Sequence, residues 1–291
     1  MKKHAKKILL IVMMLMMATS LCAKKKQTEV RQVKKMVYLS SIVVFSDAAA
    51  EFLTAMGATD LIVAISEEAN IFPEDSDVAV IPLEDQTIST ILDYEPDFVF
   101  ITDGVHRDLE DELDDYEIKW YEFYAETIDE LKDQILEVGK LMNHSADSRA
   151  IVEGMDDKLA KLQASVDSYY STNEKKKVYF EIAAEDDSYT VLGARTFFSE
   201  ALEKAGGQNL FDYINSDSID LVGERIIEKE PEVILIAADS GTTVEDVMNR
   251  PGWENLPAVQ NGKIFIIDTA AYTKLAPSCV DAIYELFELL K

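Results

Sequence analysis

The chain has 291 residues and carries 55 acidic against 28 basic side chains, for a formal net charge of −27 at pH 7. A charge of this sign repels nucleic-acid phosphates and anionic lipid headgroups, so both are excluded as partners of the folded domain. Only three histidines are present, two of them (His106 and His144) beyond the N-terminal leader. Histidine is therefore too scarce to favour a histidine-based catalytic triad or a metal site built on histidine pairs.

The N-terminus is typical of a secretory signal peptide. Residues 1–7 contain four lysines, residues 8–17 are apolar, and small residues follow. The apolar run is too short for a single-pass anchor, which is the competing interpretation. Cys22 lies where a bacterial lipoprotein signal places its acylated cysteine, so we expect a signal peptide over 1–22 and a lipid anchor at Cys22. The alternative is cleavage after Ala23, which would leave a soluble protein.

The segment that follows the leader, residues 23–35, is polar, rich in lysine and without apolar periodicity. This composition predicts a flexible tether. Without the four lysines of the leader, 24 basic residues remain against 55 acidic ones. Self-repulsion at this charge keeps an exported protein soluble and predicts a monomer.

An internal repeat organises the rest of the chain. In residues 91–101 and again in residues 226–236, a short helical pattern ends at a Glu-Pro pair and an apolar strand follows. The two repeats share a second feature: one predicted helix ends at Gly57 and another at Gly206, and apolar residues follow each of them. Consecutive apolar residues are typical of strands whose two sheet faces are both covered by helices. Strands that alternate with helices predict parallel α/β units, so the chain is expected to form two similar α/β lobes.

A helical region separates the two repeats. A capping box starts at Thr127, and apolar residues then recur at helical spacing up to Met142. After a break near residues 143–145, a second stripe of apolar residues runs from Ile151 to Tyr169. The predicted organisation is an N-terminal α/β lobe with its connecting helix over 36–143, an inter-lobe helix over 144–172, and a C-terminal α/β lobe over 173–291. The stripe has no glycine-rich hinge, so only a small closure on ligand binding is expected.

Several motifs in order resemble one family, the class III solute-binding proteins of ABC transporters, which serve the uptake of iron-siderophores, cobalamin and haem. The resemblance covers the chain from Met36 to its end. The motifs are residues 49–58 (first helix and its Gly-Ala turn), 94–97 (Tyr-Glu-Pro-Asp), 205–209 (Ala-Gly-Gly-Gln-Asn), 251–253 (Pro-Gly-Trp) and 258–265 (Ala-Val-Gln-Asn-Gly-Lys-Ile-Phe).

This resemblance implies two α/β lobes with central parallel sheets joined by a single long rigid helix, and a ligand held in the cleft between them. The residues themselves predict no catalysis and no resident cofactor or metal, because histidine is scarce and no Gly-x-Gly-x-x-Gly, Walker or Gly-x-Ser-x-Gly motif is present. The alternative is an enzyme built on the same lobes. The resemblance also implies docking on an ABC permease through one surface glutamate per lobe. Glu224 stands at the second-lobe position; the matching first-lobe position is Ser89, with Glu84 or Asp85 nearby as the substitute.

Candidate cleft residues follow from the carboxyl ends of the predicted strands, where parallel sheets place their binding loops. They are Phe45, Ser46, Phe72, His106, Arg107 and Tyr124 in the first lobe and Tyr189, Arg195, Tyr272 and Lys274 in the second. The competing interpretation is a place in the lobe core for each aromatic residue and a solvated loop for each charged one. For Arg195, at the start of a helix that runs to Lys204, the competing partner is Glu200 or Glu203.

The expected ligand is a metal chelate, and three classes stay open. A ferric siderophore offers anionic oxygens to Arg107 and Arg195, and it is the favoured interpretation. Haem would take an axial ligand from His106 or Tyr124. Cobalamin needs mainly an aromatic-lined cleft.

Overall fold

The computed structural model describes residues 39–102, 105–123, 125–268, 270–273 and 275–291. The expected signal peptide and tether, with Cys22, lie outside these ranges, as do Tyr124 and Lys274. Across the described ranges, no helix combines the length and the apolar character that a membrane span requires.

The N-terminal lobe is built on a parallel five-stranded sheet in the order β3-β2-β1-β4-β5. Its strands are β1 (Ile42–Val44), β2 (Ile62–Ser66), β3 (Ala79–Ile81), β4 (Phe98–Thr102) and β5 (Lys119–Phe123). Its helices are α1 (Asp47–Ala55), α2 (Ile88–Asp93) and α3 (Arg107–Asp115), with short 3₁₀ turns at Thr59–Leu61 and Leu83–Asp85. The first four residues of β4 are buried, because both faces of this central strand are covered.

Two helices follow the N-terminal sheet, and the second of them joins the lobes. Helix α4 (Ile128–Leu141) begins at Thr127, whose side chain accepts a hydrogen bond from the N–H of Glu130. The other half of the expected capping box is shifted by one residue, because the Glu130 carboxylate accepts from the N–H of Glu126 instead. Helix α5 (Ser145–Tyr170) has 26 residues and so a length of about 39 Å. It contains the whole predicted stripe, and the expected single long helix between the lobes is confirmed.

The C-terminal lobe has a six-stranded mixed sheet. Its strands are β6 (Lys177–Glu185), β7 (Ser188–Leu192), β8 (Gln208–Asn209), β9 (Ser218–Val222), β10 (Val233–Ala237) and β11 (Ile264–Ile267). Its helices are α6 (Phe197–Lys204), α7 (Gly223–Ile227), α8 (Val244–Met248), α9 (Pro257–Gln260), α10 (Ala270–Thr273) and α11 (Cys279–Leu290), with a 3₁₀ turn at Ala238–Ser240. The sheet order is β11-β10-β6-β7-β9, and β8 also pairs with β6.

This second sheet departs from the all-parallel arrangement expected from the sequence. Strand β6 runs parallel to β10 and β8 but antiparallel to β7, and β7 is antiparallel to β9. Only Asp186 and Asp187 separate β6 from β7, and Asp186 has a positive φ of 53°. Two residues suffice for a hairpin, whereas a parallel neighbour would need a much longer crossover.

The predicted repeat is present in the structure as well. Helices α2 and α7 each end shortly before the Glu-Pro pair, and β4 and β10 follow. The glutamates of the two pairs, Glu95 and Glu230, both have positive φ values, 45° and 52°. A left-handed residue at this point stops each helix and redirects the chain into the sheet.

One buried apolar cluster runs through both lobes. It joins residues of α1 and the first sheet to residues of α4, α5, α6 and α11. Two further clusters lie within single lobes, one centred on Val99 and Ile101, the other on Tyr179 and Trp253. The shared cluster ties the lobes together beneath the cleft between them.

Candidate ligand-binding cleft

A cavity of about 430 Å³ lies where the strands of the N-terminal sheet end. Phe45 and Ser46 directly follow β1, and Ser66, Thr102 and Phe123 are the last residues of β2, β4 and β5. These positions share one sheet edge because the strands are parallel, which is where binding loops of open α/β sheets converge. Leu275, in the C-terminal lobe, lines the same cavity, so the cavity lies between the lobes.

A stacked pair forms part of the cavity wall. The ring of Phe45 lies 5.4 Å from the ring of His106, with an angle of 26° between the planes. The backbone N–H of Thr102 donates to Nδ1 of His106 at 3.1 Å. Nε2 of His106 lies 2.7 Å from Oε1 of Gln86, whose amide nitrogen in turn donates to Glu68 at 3.4 Å. Since Nδ1 accepts a hydrogen bond, the ring proton sits on Nε2 and is donated to Gln86.

Burial lowers the pKa of His106 from its ordinary value of 6.5, because desolvation penalises the imidazolium. The imidazole is therefore neutral at pH 7. Both of its nitrogens are engaged by protein groups, so His106 contributes a flat, uncharged surface to the cleft and has no nitrogen free for a metal ion.

The rest of the described lining has apolar residues at its rim and also carries acidic side chains. Leu83 and Val105 are more than half exposed and line the opening. Three carboxylates, those of Asp47, Glu68 and Glu126, also line the cavity. Within the described part of the lining there is no lysine or arginine. The described lining thus combines apolar surface with negative charge.

Arg195 lines an adjoining groove of about 690 Å³. This groove runs along α6 and meets the first cavity at Glu126. The Nε of Arg195 lies 3.9 Å from a carboxylate oxygen of Asp217, and the side chain is 59% exposed. The sequence analysis named Glu200 and Glu203 as its competing partners. The structure shows an exposed pair with a different residue, and Arg195 is not part of the lining of the inter-lobe cavity.

Four other predicted cleft residues that the structure describes, Phe72, Arg107, Tyr189 and Tyr272, are not part of the described lining of the inter-lobe cavity. Phe72 packs at the edge of the shared apolar cluster, and Arg107 is exposed at the start of α3. Tyr272 is buried in that cluster, with its hydroxyl donating to the carbonyl of Ala282 at 3.3 Å. Burial raises the pKa of Tyr272 to about 12.

Tyr189 belongs to the core of the C-terminal lobe. It packs on Trp253 at 5.4 Å, and the guanidinium of Arg250 lies 4.4 Å above its ring. Arg250 forms a bidentate pair with Glu181, which is fully buried, at 2.6 and 2.7 Å. Tyr179 completes the group by donating its hydroxyl to Glu181 at 2.6 Å.

Both expected docking glutamates are exposed. Glu224 lies in the first turn of α7, and Glu84 lies in the 3₁₀ turn Leu83–Asp85. Ser89 is exposed in the first turn of α2. Glu84 is adjacent in sequence to Leu83, at the cleft opening.

Sequence reasoning missed several lining residues of the cleft. Ser66, Thr102 and Phe123 are strand ends, so the rule that selected Phe45 and Ser46 also applies to them once the strand bounds are known within one residue. Gln86 follows a 3₁₀ turn after a strand that the sequence analysis did not identify, so no local pattern indicates its contact with His106.

The chain matches the model of the family described as "Periplasmic binding protein" over residues 42–271. Curated relatives include a cobalamin-binding protein of Halobacterium salinarum, 25% identical over 250 residues that cover 82% of this chain and 66% of the relative. The chain thus spans just under two thirds of that relative's length. A vitamin B12-binding protein of Vibrio parahaemolyticus is 22% identical over 248 residues, covering 82% of this chain and 85% of the relative.

Solved structures share the fold. A possible iron-binding periplasmic solute-binding protein of Staphylococcus epidermidis matches with a TM-score of 0.76 at 20% identity, covering 87% of this chain and 99% of that one. The vitamin B12-binding protein of Vibrio cholerae matches with a TM-score of 0.68 at 20% identity, covering 87% and 97%. A haem-binding protein of Roseiflexus matches with a TM-score of 0.74 at 18% identity, covering 86% and 98%. Its two α/β lobes and long connecting helix form the fold that these solved structures share. Because the family model matches residues 42–271, the chain belongs to the periplasmic binding protein family.

Proposed function

We propose that this protein captures a cobalt corrinoid of the cobalamin class in the inter-lobe cleft and delivers it to an ABC importer. The observation that carries the proposal is the character of the described lining: a neutral stacked pair, an apolar rim and three carboxylates. A cobalamin surrounds its metal with amide side chains and apolar edges and exposes no carboxylate. It therefore suits an acidic, partly apolar cleft better than a polyanionic chelate does.

The favoured interpretation from the sequence, a ferric siderophore held by arginines, has less support from these positions. Arg107 does not line the cavity, and Arg195 lies in the other groove beside Asp217. An anionic catecholate or carboxylate chelate would face Glu68 and Glu126 instead, which costs binding free energy through like-charge repulsion.

Haem has less support from the same cleft. Both nitrogens of His106 are hydrogen-bonded, to Thr102 and Gln86, so an axial bond to iron would require breaking one of them. The propionates of haem would also meet an acidic lining. The names of the two curated relatives, one binding cobalamin and the other vitamin B12, point in the same direction as the lining.

Calorimetric titration with cyanocobalamin tests the proposal. We expect a 1:1 complex for the wild type and an affinity about fivefold weaker for Leu83→Ala, because a partly exposed rim residue then loses apolar contact with the ligand. Tyr116→Ala is the matched control, since Tyr116 is exposed on the same lobe and does not line the cavity. No heat of binding with the wild type, or equal losses in both variants, contradicts the proposal.

The protein is also expected to contact a permease and a membrane. We infer that Glu224 and Glu84 contact the permease, one from each lobe, and that Cys22 carries a lipid that holds the monomer at the outer face of a membrane. Wild-type protein should then partition into a detergent phase, and Cys22→Ala should remain in the aqueous phase. A mature N-terminus at Lys24 in the wild type contradicts the lipid anchor.

A further inference from the structure

Each lobe has one glutamate that contacts the start of a helix in the other lobe. Glu51, in α1, accepts hydrogen bonds from the N–H and the hydroxyl of Ser278 at 2.5 and 2.8 Å, at the N-cap of α11. Glu200, in α6, accepts from the N–H of Ile128 at 3.1 Å, at the first residue of α4. The two contacts thus run in opposite directions between the lobes.

The two glutamates occupy equivalent positions in the internal repeat. Glu51 stands six residues before Gly57, and Glu200 stands six residues before Gly206. Both glycines have positive φ values, 69° and 81°, and both follow the end of their helix. The two repeats therefore contain equivalent helices. Each of these helices places an equivalent carboxylate against the start of a helix in the other half of the chain.

Helix starts are suitable receptors for these carboxylates. The first amides of a helix have no partner within it, and the positive end of the helix dipole favours an anion there. The thiol-bearing residue after Ser278, Cys279, and the side chain of Ile128 are buried, so both contacts lie over the packed core. Glu51 and Glu200 are themselves half-buried, which reduces screening by water.

Both contacts are joined directly to the cleft lining. Glu126 lies two residues before Ile128, and Leu275 lies three residues before Ser278. Ser46, at the N-cap of α1, lines the cleft five residues before Glu51. A shift of either helix start relative to its glutamate would therefore change the separation between walls of the cleft.

We propose that Glu51 and Glu200 form a double latch between the lobes that fixes the width of the cleft and so positions its walls for the ligand. This rests on the proposed function in that it explains how the same cleft is held ready for its ligand. The latch acts through lobe position: neither carboxylate needs to touch the ligand. It also gives a physical reason for a small closure, since the lobes are held together at two points.

Distances between spin labels on the two lobes test the latch without any ligand. Labels are attached to Asp111→Cys on α3 and Glu245→Cys on α8, both exposed, in full-length protein with Cys22→Ser. Cys279 is buried and stays unlabelled. We expect a narrow distance distribution for the labelled protein that keeps both glutamates. The distribution should be broader for Glu51→Ala or Glu200→Ala and broadest for the double variant.

Two kinds of variant separate positioning from mere stability. Glu51→Gln and Glu200→Gln keep an oxygen acceptor and should restore a narrow distribution. Glu203→Ala removes an exposed glutamate one turn along from Glu200 on the same helix and should leave the distribution unchanged. If the double alanine variant unfolds, Ser278→Ala, which removes one of the two donors to Glu51, should still broaden the distribution measurably.

The rate at which cyanocobalamin dissociates gives the functional readout. We expect it to rise about fivefold or more in the double alanine variant and to change less than about twofold in Glu203→Ala. A folded double variant with the wild-type distance distribution overturns the latch. If the distribution broadens as expected while the wild type does not bind cyanocobalamin, the latch stands and the proposed ligand fails.

Discussion

At the scale of single residues, the role of a polar group in the cleft depends on its neighbours more than on its own side-chain chemistry. His106 shows this: its position in the sequence suggested an axial ligand, whereas its two hydrogen bonds and its stacking on Phe45 make it an uncharged wall. The sequence could identify the residue as part of the cleft. Its tautomer and its contacts depend on Gln86, which comes from a distant turn.

The neutral state of His106 predicts a pH effect. Its pKa is lowered in the folded protein, so the unfolded chain binds more protons once the pH falls below 6.5. The stability that neutral His106 contributes is present above that value and is lost as the pH falls through it toward the lowered pKa. The free energy of unfolding of the wild type should therefore decrease more steeply below pH 6.5 than that of His106→Phe, in urea unfolding at a series of pH values. An imidazole titration by NMR with its midpoint above 6.5 would refute this.

Arg250 predicts a large stability effect at a position remote from the cleft. Replacing it by methionine would leave the carboxylate of Glu181 fully buried without its bidentate partner. We expect the free energy of unfolding to fall by about 3–5 kcal/mol, measured by urea denaturation. Arg225→Met is the control: its pair with Glu228 is exposed, so the loss should be at most about 1 kcal/mol. Equal effects in the two variants would show that the buried pair is not the cause.

At the scale of elements, helix bounds were more predictable than strand directions. The stripe of apolar residues from Ile151 to Tyr169 predicted α5, because its helical spacing persists over many turns. The Glu-Pro pairs predicted the starts of β4 and β10. The antiparallel strands β7 and β9 were not predicted, since their direction depends on a two-residue turn and on pairing between segments far apart in sequence.

Two glycines on the connecting helices predict opposite effects of the same substitution. A Cβ added at Gly154 of α5 meets no atom within 4 Å, whereas one at Gly139 of α4 would overlap the side chain of Ser148 on α5. Gly154→Ala should stabilise the protein by about 1 kcal/mol through higher helix propensity. Gly139→Ala should destabilise it, because α4 and α5 approach closely there, and Ser148→Gly should recover part of the loss. Thermal unfolding of the four proteins checks this; a stabilised Gly139→Ala would contradict the close approach.

At the scale of the whole molecule, the two-lobe architecture was predictable and the chemistry of the cleft only in part. Repeats and ordered motifs indicate the lobes, and strand ends brought Phe45, Ser46 and His106 to one cavity. Which residues surround the start of a helix depends on tertiary packing and not on the local sequence. For that reason the sequence analysis placed Arg195 in the cleft, whereas in the structure it lines the neighbouring groove.

The central claim is that the cleft favours a chelate without carboxylate or catecholate groups. Its most direct test is a comparative calorimetric titration of the purified protein with cyanocobalamin, a cationic ferric hydroxamate, haemin and a ferric tris-catecholate, at one ionic strength. We predict the tightest binding for cyanocobalamin, with a dissociation constant of about 1 μM or below, and no measurable binding of the tris-catecholate. Tight binding of the tris-catecholate or of haemin, with cyanocobalamin inert, would contradict the account.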